Sequence, residues 1–279
     1  MALAEPVQRP APPVAAPQRA RGWARLTVRR EDGKSRLQEL FQEGSARLRL
    51  PRTRADAIEA VMINTAGGVT GGDRFAWGVT VESGAAAVLT TQACEKVYRA
   101  DADRAEVQAR LSVGAGGRLD WLPQETILFD RSALARRIEA DVAPGGRLLL
   151  VEAVVLGRRA MGETVTRTDF HDRWRVRRDG RLIFADDIRL AGDLPTLTAG
   201  RALLGGAGAF ATLLLVDDAA EASLDGVRAA IGTLGGASAF DGKLVARIAA
   251  PDGFSLRRAL LPAIAALRGG LAPPLVWTL

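Results

Sequence analysis

Apolar and polar residues alternate with a period of two along several stretches of this chain, as they do in strands with one buried face. One such stretch places its apolar side chains on a single face: Phe75, Trp77, Val79 and Val81. The clearest stretch runs from Ala105 to Val113, where every second residue is polar or charged. Such regular alternation is typical of a half-buried antiparallel strand. The sequence therefore predicts a mainly β fold.

Glycine-rich turns separate these strands and recur at similar spacing. Gly116-Gly117-Arg118-Leu119 returns 29 residues later as Gly145-Gly146-Arg147-Leu148, and Gly84 precedes Gly116 by 32 residues. This spacing predicts stacked strand layers of the solenoid kind, with a plain meander or sandwich as the alternative. Asp179-Gly180 lies between two alternating segments and predicts a hairpin with a type I′ turn.

The pattern changes beyond about Gly208. A short apolar strand is followed by a helical stripe within 221–234, formed by Leu224, Val227, Ile231 and Leu234. A second strand over 243–249 precedes a last helix, which we expect Ser255 to cap and Gly269-Gly270 to end. We therefore expect a β body over 23–207 with a small β-α-β-α portion over 208–279 packed on it. Residues 1–22, mostly Ala, Pro and Gln, predict a disordered tail.

The segment from Asn64 to Arg74 is the densest in glycine, with two Gly pairs around Val69-Thr70. Glycine permits positive φ and close backbone approach, so this segment predicts a sharp, tightly packed bend. A phosphate-binding loop would need a Lys after its last glycine, and Asp73 stands there instead. A carboxylate at that place repels phosphate, so we do not expect nucleotide binding.

Composition excludes several classes of chemistry. One Cys (Cys94) and one His (His171) cannot supply the three or four ligands of a tight soft-metal site, nor form an internal disulfide. We interpret His171, in a charged stretch, as a surface or hydrogen-bonded residue rather than a catalytic one. Cys94 is interpreted as a small buried hydrophobe, with a metal ligand as the alternative.

The chain is basic, with a formal net charge of +6 over 279 residues, but its basic residues are scattered. We therefore expect no nucleic-acid partner, and an acidic protein partner fits better. No apolar run reaches the ~18 to 20 residues that span a bilayer, and the N-terminus lacks the apolar core of a secretory signal. We expect no membrane association and a cytoplasmic location.

Three segments together resemble the UreD (also called UreH) family of urease accessory proteins: Asn64 to Arg74, Thr90 to Arg99, and Leu122 to Asp130. Shorter pieces are similar as well: Gly157-Arg158, Met161-Gly162-Glu163, Asp172 to Arg175, and Pro274 before Val276-Trp277. The resemblance covers the chain from about Trp23 to its end. It implies a nickel metallochaperone component that is not itself an enzyme.

In that scheme the protein docks on apo-urease with a helical accessory protein (UreF type) and a P-loop GTPase (UreG type). The resemblance implies that nickel leaves the GTPase, crosses the helical protein and travels through an internal passage to the urease centre. We expect no tightly bound cofactor, only nickel in transit. The carboxylates predicted to line the route are Asp130 and Glu163 first, with Asp73 and Glu95 behind them.

Carboxylates bind such a cation weakly, which suits passage better than storage. The plainer alternative is that these acids, and Glu125, are solvated strand carboxylates paired with neighbouring Arg or Lys. Two other functions stay open. One is a β-solenoid carbohydrate-active enzyme with Glu125 and Asp130 as acid and base. The other is an adaptor without metal contact.

Overall fold

A computed structural model describes residues 18–53, 55–158 and 162–277. Strands are numbered along the chain. One sheet has seven strands: β1 (Arg21–Glu31), β2 (Lys34–Gly44), β5 (Arg74–Val81), β8 (Ala105–Val113), β11 (Ser132–Val142), β13 (Arg167–Arg178) and β14 (Arg181–Asp193). The second has ten: β3 (Ala46–Arg49), β4 (Ile58–Asn64), β6 (Ala86–Thr91), β7 (Glu95–Val97), β9 (Arg118–Leu122), β10 (Thr126–Leu128), β12 (Arg147–Leu156), β15 (Ala209–Val216), β16 (Gly235–Phe240) and β17 (Lys243–Ala250).

The chain winds between the two sheets as a solenoid. It passes from β5 to β6, from β8 to β9 and from β11 to β12, and each coil adds one parallel strand to each sheet. The turns within these coils carry Gly84, Gly116 and Gly145, all at positive φ (68°, 64° and 70°). The glycine repeat thus marks successive coils, and the predicted mainly β, solenoid-like fold is confirmed.

The antiparallel prediction for the strand from Ala105 to Val113 is wrong. This strand, β8, pairs in parallel with β5 on one side and with β11 on the other. Alternation reports that one face of a strand is buried, which here is the face toward the second sheet, but it carries no information on strand direction. Antiparallel pairs lie toward the ends of the sheets, as in β1 with β2 and β13 with β14.

The predicted hairpin at Asp179-Gly180 is confirmed. It joins β13 to β14, and the two residues have φ values of 50° and 72°. Two positive φ values in a two-residue loop are the mark of a type I′ turn, whose twist matches that of the strands. Strand β1 begins at Arg21, within the segment predicted to be a disordered tail, and residues 1–17 of that segment lie outside the described residues.

The C-terminal portion extends the second sheet. Strand β15 pairs antiparallel with β12 of the solenoid, and β17 pairs with β15. The helices are α1 (Leu194–Ala199), α2 (Leu224–Ile231) and α3 (Gly253–Leu267), with short 3-10 helices at Ala220–Ser223, Gly232–Leu234 and Leu275–Trp277. The order after β15 is α2, β16, β17, α3, so there is one strand more than the predicted β-α-β-α pattern.

Two apolar clusters hold the layers together. The larger one fills the space between the sheets, and the smaller one lies between the second sheet and helices α2 and α3. The predicted cap of the last helix is wrong. Asp252 is the cap, and its Oδ1 accepts the Ser255 N–H at 2.7 Å, so Ser255 lies within the first turn. No helix in the described ranges is long and apolar enough to cross a membrane.

Candidate functional site

The segments quoted for the family resemblance meet along one edge of the solenoid. We call residues 64–74, 90–99, 122–130, 157–158 and 162–163 the motif edge. Parallel pairing of β7 with β10, and of β10 with β12, runs along this edge. Backbone hydrogen bonds join the neighbouring segments: Tyr98 N–H to Val69 O (2.8 Å), Phe129 N–H to Val97 O (3.0 Å) and Gly157 N–H to Leu128 O (2.8 Å). Residues up to 99 positions apart in sequence, from 64 to 163, thus share one edge.

The glycine-rich segment is a tightly packed bend, as predicted. A Cβ atom on Gly71 would lie 2.1 Å from the Ala102 carbonyl oxygen, and Gly68 has a φ of 149° and packs against Tyr98. Asp73 is buried in this bend. Its Oδ1 accepts the Ala20 N–H (2.7 Å) and its Oδ2 accepts the Thr70 N–H (2.8 Å). The Asp73 carboxylate therefore stabilises the backbone of the bend.

A cavity of about 320 Å³ lies between the two sheets, just inside the motif edge. Exposed Gln92, Ala93 and Lys96 are among its lining residues, so the cavity opens at that edge. Trp77 and Val107 occupy inward positions of β5 and β8 but are only half-buried, because they face this space. Polar and apolar residues share the cavity wall, and the polar or charged ones are Asn64, Thr91, Gln92, Glu95, Lys96, Gln124, Thr126, Arg136 and Glu152.

Glu95 is the predicted site residue that lines this cavity. Its carboxylate accepts hydrogen bonds from the Asn64 amide nitrogen, at 3.2 Å and 3.4 Å. Burial raises the pKa of the Glu95 carboxyl to about 7, and the nearby negative charge of Asp73 adds to that effect. Near neutral pH the Glu95 carboxyl therefore exchanges readily between its protonated and ionised forms.

Cys94 lies beside Glu95 and also lines the cavity. Its Sγ donates to Glu125 Oε2 at 3.4 Å, and burial together with the negative charge of Glu125 raises the pKa of the thiol to about 11. Glu125 itself is buried and is held by the Arg257 guanidinium at 3.1 Å. Cys94 is therefore a protonated, half-buried thiol at neutral pH, which is a poor metal ligand.

Arg136, Glu152 and Asp172 form a buried charge triad, and two of its members, Arg136 and Glu152, line the cavity. The Arg136 guanidinium binds both Asp172 oxygens (3.0 Å and 2.6 Å) and also contacts Glu152. Each carboxylate of the triad also accepts a hydrogen bond from an indole N–H group. Trp121 donates to Glu152 at 3.0 Å, and Trp174 donates to Asp172 at 3.1 Å. Burial raises the pKa of Glu152 to about 7 against the opposing effect of Arg136.

Asp130 and Glu163 lie next to each other, outside the cavity. The Asp130 N–H donates to Glu163 Oε1 at 3.2 Å. Asp130 Oδ1 accepts from both the N–H (2.7 Å) and the hydroxyl (2.9 Å) of Thr166. Glu163 Oε2 accepts from Arg158 Nε at 2.9 Å. Burial works to raise both pKa values, but the accumulated hydrogen bonds lower the pKa of each carboxyl below its ordinary value.

The residues from 20 to 278 match the family model described as UreD urease accessory protein. The chain belongs to the UreD family. It is 55% identical over 264 residues to the urease accessory protein UreD of Rhizobium leguminosarum bv. viciae, covering 94% of this chain and 97% of that one. It is 53% identical over 262 residues to UreD of Agrobacterium fabrum, covering 94% and 92%, and 52% identical over 272 residues to UreD of Mesorhizobium japonicum, covering 96% of each. This family membership makes the chain a urease accessory protein that acts in urease maturation.

The predicted site residues of this UreD family member form two pairs rather than one cluster. Asp73 and Glu95 are close enough to interact electrostatically, and Asp130 adjoins Glu163, but no group of three potential metal ligands occurs in 18–53, 55–158 and 162–277. Met161, quoted with Glu163, lies outside the described residues. His171 lies on the outer sheet face and bonds Asp187 (2.5 Å), as expected of a surface residue.

Sequence reasoning missed Arg136 and Glu152. Both sit at inward positions of their strands, Arg136 between Leu134 and Ile138, and Glu152 between Leu150 and Val154. A charged residue inside an apolar alternation must be paired if it is buried, and that signal was present in the sequence. Which residue pairs with which depends on the stacking of the two sheets, which the sequence pattern does not give.

Proposed function

We propose that this UreD family protein passes nickel toward the urease active site through the cavity between its two sheets. The observation that carries the proposal is Glu95, a carboxylate that lines an open cavity and whose side chain has only neutral hydrogen-bond partners in the described chain, the Asn64 amide and the Lys96 backbone N–H. Since no guanidinium or ammonium group is bound to it in the described chain, its oxygens are available to an incoming cation.

The rest of the cavity wall supports weak, exchangeable binding. Thr91, Gln92 and Thr126 offer neutral side-chain oxygen atoms, and oxygen ligands hold a borderline cation less firmly than imidazole or thiolate. An ion that is to be handed on must not be retained. The wall therefore suits transit of nickel as cargo rather than its storage.

Asp130 and Glu163 form a second pair of carboxylates on the motif edge, outside the cavity, that nickel would contact. Asp130 Oδ2 accepts no hydrogen bond from the described residues, and its nearest cation, Arg131 Nε, is 3.8 Å away. Glu163 has both oxygens occupied, by the Asp130 N–H and by Arg158. We therefore assign the stronger cation contact to Asp130, while Asp73, with both oxygens bound to backbone N–H groups, supports Glu95 through its charge.

The proposed partners are apo-urease, a helical UreF-type accessory protein and a UreG-type GTPase in the cytoplasm. Membership of the urease accessory family supports association with urease and other accessory proteins. A separate GTPase fits because the glycine-rich bend carries Asp73 where a phosphate-binding loop needs Lys. A carbohydrate-active enzyme is not favoured, since Glu125 is bound to Arg257 and Asp130 lies outside the cavity.

The test is Glu95→Gln, which keeps the shape and the bond to Asn64 but removes the carboxylate. Urease is co-expressed with its accessory proteins and each variant, and nickel per active site is measured along with recovery of the complex. We expect a severalfold loss of nickel with the complex intact. The control is Glu43→Gln, an exposed glutamate on β2, which should leave nickel unchanged.

Normal nickel content with Glu95→Gln would contradict the passage through this cavity. If Asp130→Asn and Glu163→Gln also load urease fully while the complex forms, the adaptor without metal contact becomes the better function.

A further inference from the structure

The outer face of the seven-stranded sheet carries a groove lined with arginines, next to the motif edge. Exposed Arg104, Arg131, Arg167 and Arg189 line this space of about 640 Å³. The groove also contains small residues, among them Ala133 and Ala191, which leave the guanidinium groups free to reach a ligand. We call the space lined by Arg104, Arg131, Arg167 and Arg189 the arginine groove.

The arginine groove has more positive charge than its own acids neutralise. Arg104 Nε binds Asp169 Oδ2 at 2.6 Å, and Arg131 Nε lies 3.8 Å from Asp130 Oδ2. Within the part of the chain that the structure describes, the side chains of Arg167 and Arg189 have neither an ion pair nor a hydrogen bond. Two guanidinium groups on one groove are thus available to an external anion.

Arg131 has an unusual backbone for its residue type. Five described non-glycine residues have positive φ, and the other four are all aspartates: Asp32, Asp103, Asp179 and Asp241. Asp and Asn tolerate this conformation, whereas a long side chain such as arginine is rarely found there. At a φ of 58°, Arg131 is held by its N–H bond to Arg167 O (2.8 Å) and by the Ala100 N–H on its own carbonyl (3.0 Å). An arginine kept at a strained position points to a use for its side chain.

We propose that the arginine groove docks an acidic segment of a protein partner. The choice of a protein as occupant rests on the proposed function, in which the chain assembles with other proteins, but docking does not require nickel passage. A single phosphate fits less well, because the nearby hydroxyls of Ser132 and Thr168 are buried and bond each other at 3.1 Å. The available donors are long side chains spread around an open groove, which match carboxylates spaced along a segment.

The first experiment measures binding of a fluorescent octaglutamate peptide to the full chain by anisotropy, at about 50 mM and about 300 mM salt. The test variant is Arg167→Gln/Arg189→Gln, whose side chains have no partner to lose within the described chain. The control, Arg137→Gln/Arg181→Gln, removes the same charge from exposed positions elsewhere on the same sheet. We expect affinity to fall about fivefold in the test variant and less than about twofold in the control, with the difference shrinking at high salt.

Arg131→Asn provides an independent variant, because Asn tolerates the left-handed backbone while removing the guanidinium. It should weaken peptide binding without lowering the thermal midpoint. Equal weakening by the test and control pairs would overturn the proposal, since only net charge would then matter. A competition measurement provides a second refutation. If pyrophosphate displaces the fluorescent peptide at a lower concentration than unlabelled peptide does, the groove is a small-anion site and the proposal is overturned.

A second readout separates docking from nickel passage. Recovery of the variant with co-expressed urease and accessory proteins is measured at physiological salt. Docking predicts that Arg167→Gln/Arg189→Gln lowers this recovery while Glu95→Gln does not. Full recovery of the arginine variant would refute docking whatever the nickel result, and normal nickel loading with Glu95→Gln would refute passage whatever the recovery.

Discussion

Replacing Arg136 by Met tests the buried charge triad directly. Methionine fills a similar elongated space but carries no charge. The change leaves the carboxylates of Glu152 and Asp172 inside the protein, each only 4% exposed, with the indole N–H groups of Trp121 and Trp174 as their remaining donors. Two buried anions would then lack a cation.

The expected loss of stability follows from these contacts. Arg136 makes side-chain hydrogen bonds to Asp172, Glu152 and Thr126, and all of them disappear. Removing one partner of a buried ion pair destabilises a protein by about 3–5 kcal/mol, because the other charge stays desolvated. A domain is stable by about 5–15 kcal/mol, so Arg136→Met should remove a large share of the free energy of unfolding.

The loss of stability in Arg136→Met should also depend on pH, and the structure determines the direction of that dependence. Burial already raises the pKa of Glu152 to about 7 in the parent, and removing Arg136, whose positive charge opposes that effect, raises it further above its unfolded value. The folded variant then binds protons more tightly than the unfolded chain, so its stability rises as pH falls. The deficit relative to the parent should therefore be smaller at about pH 5.5 than at about pH 7.5.

Urea denaturation followed by tryptophan fluorescence at the two pH values measures both effects. Arg137→Met is the matched control, since Arg137 is the next residue of β11 but is exposed, and its cost should stay within about 0.5 kcal/mol. A deficit for Arg136→Met below about 1 kcal/mol at pH 7.5, or one equal at both pH values, would refute the reasoning that two uncompensated buried charges cause the loss.

Two further changes test the motif edge. Because the pKa of Glu95 is raised to about 7, its carboxyl favours folding below its unfolded pKa of 4.5, and that contribution is lost as pH rises through about 7. Glu95→Gln should thus be more stable than the parent by about 3 kcal/mol at pH 8 and nearly equal to it near pH 4.5; a variant less stable at pH 8 would show that this assignment is wrong. Gly71→Ala should lose more than about 3 kcal/mol in urea denaturation, because its Cβ would meet the Ala102 carbonyl, whereas Gly67→Ala, with open space around it, should lose about 1 kcal/mol. Equal losses would contradict the packing of the bend.

The local features of the fold were predictable where a residue type fixes the backbone. Asp179-Gly180 gives the hairpin because both residues accept positive φ, and Gly84, Gly116 and Gly145 mark the coils for the same reason. Strand direction was not predictable from alternation. The strand from Ala105 to Val113 has polar residues outward in a parallel sheet because, among the described residues, helices α2 and α3 pack on the second sheet and leave the outer face of this one uncovered.

The sequence segments that form the motif edge were predictable, but the buried charged residues behind them were not. The resemblance selected Glu95, Asp130 and Glu163, and the structure puts all of them on one edge. It did not select Arg136 or Glu152, which together with Asp172 come from three different strands, β11, β12 and β13. Pairing across stacked sheets depends on the register of each coil against the next, which side-chain patterning along one strand does not contain.

The composition of the cavity wall explains why the proposed route would not trap its cargo. Glu95 and Glu152 contribute two carboxylates and Lys96 and Arg136 two cations, so the charged groups of the wall nearly balance. Cys94 is the sole thiol of the chain, and with a pKa of about 11 it offers no thiolate at neutral pH. A divalent ion would meet enough oxygen to replace part of its hydration shell, but no soft ligand and no large excess of negative charge to hold it.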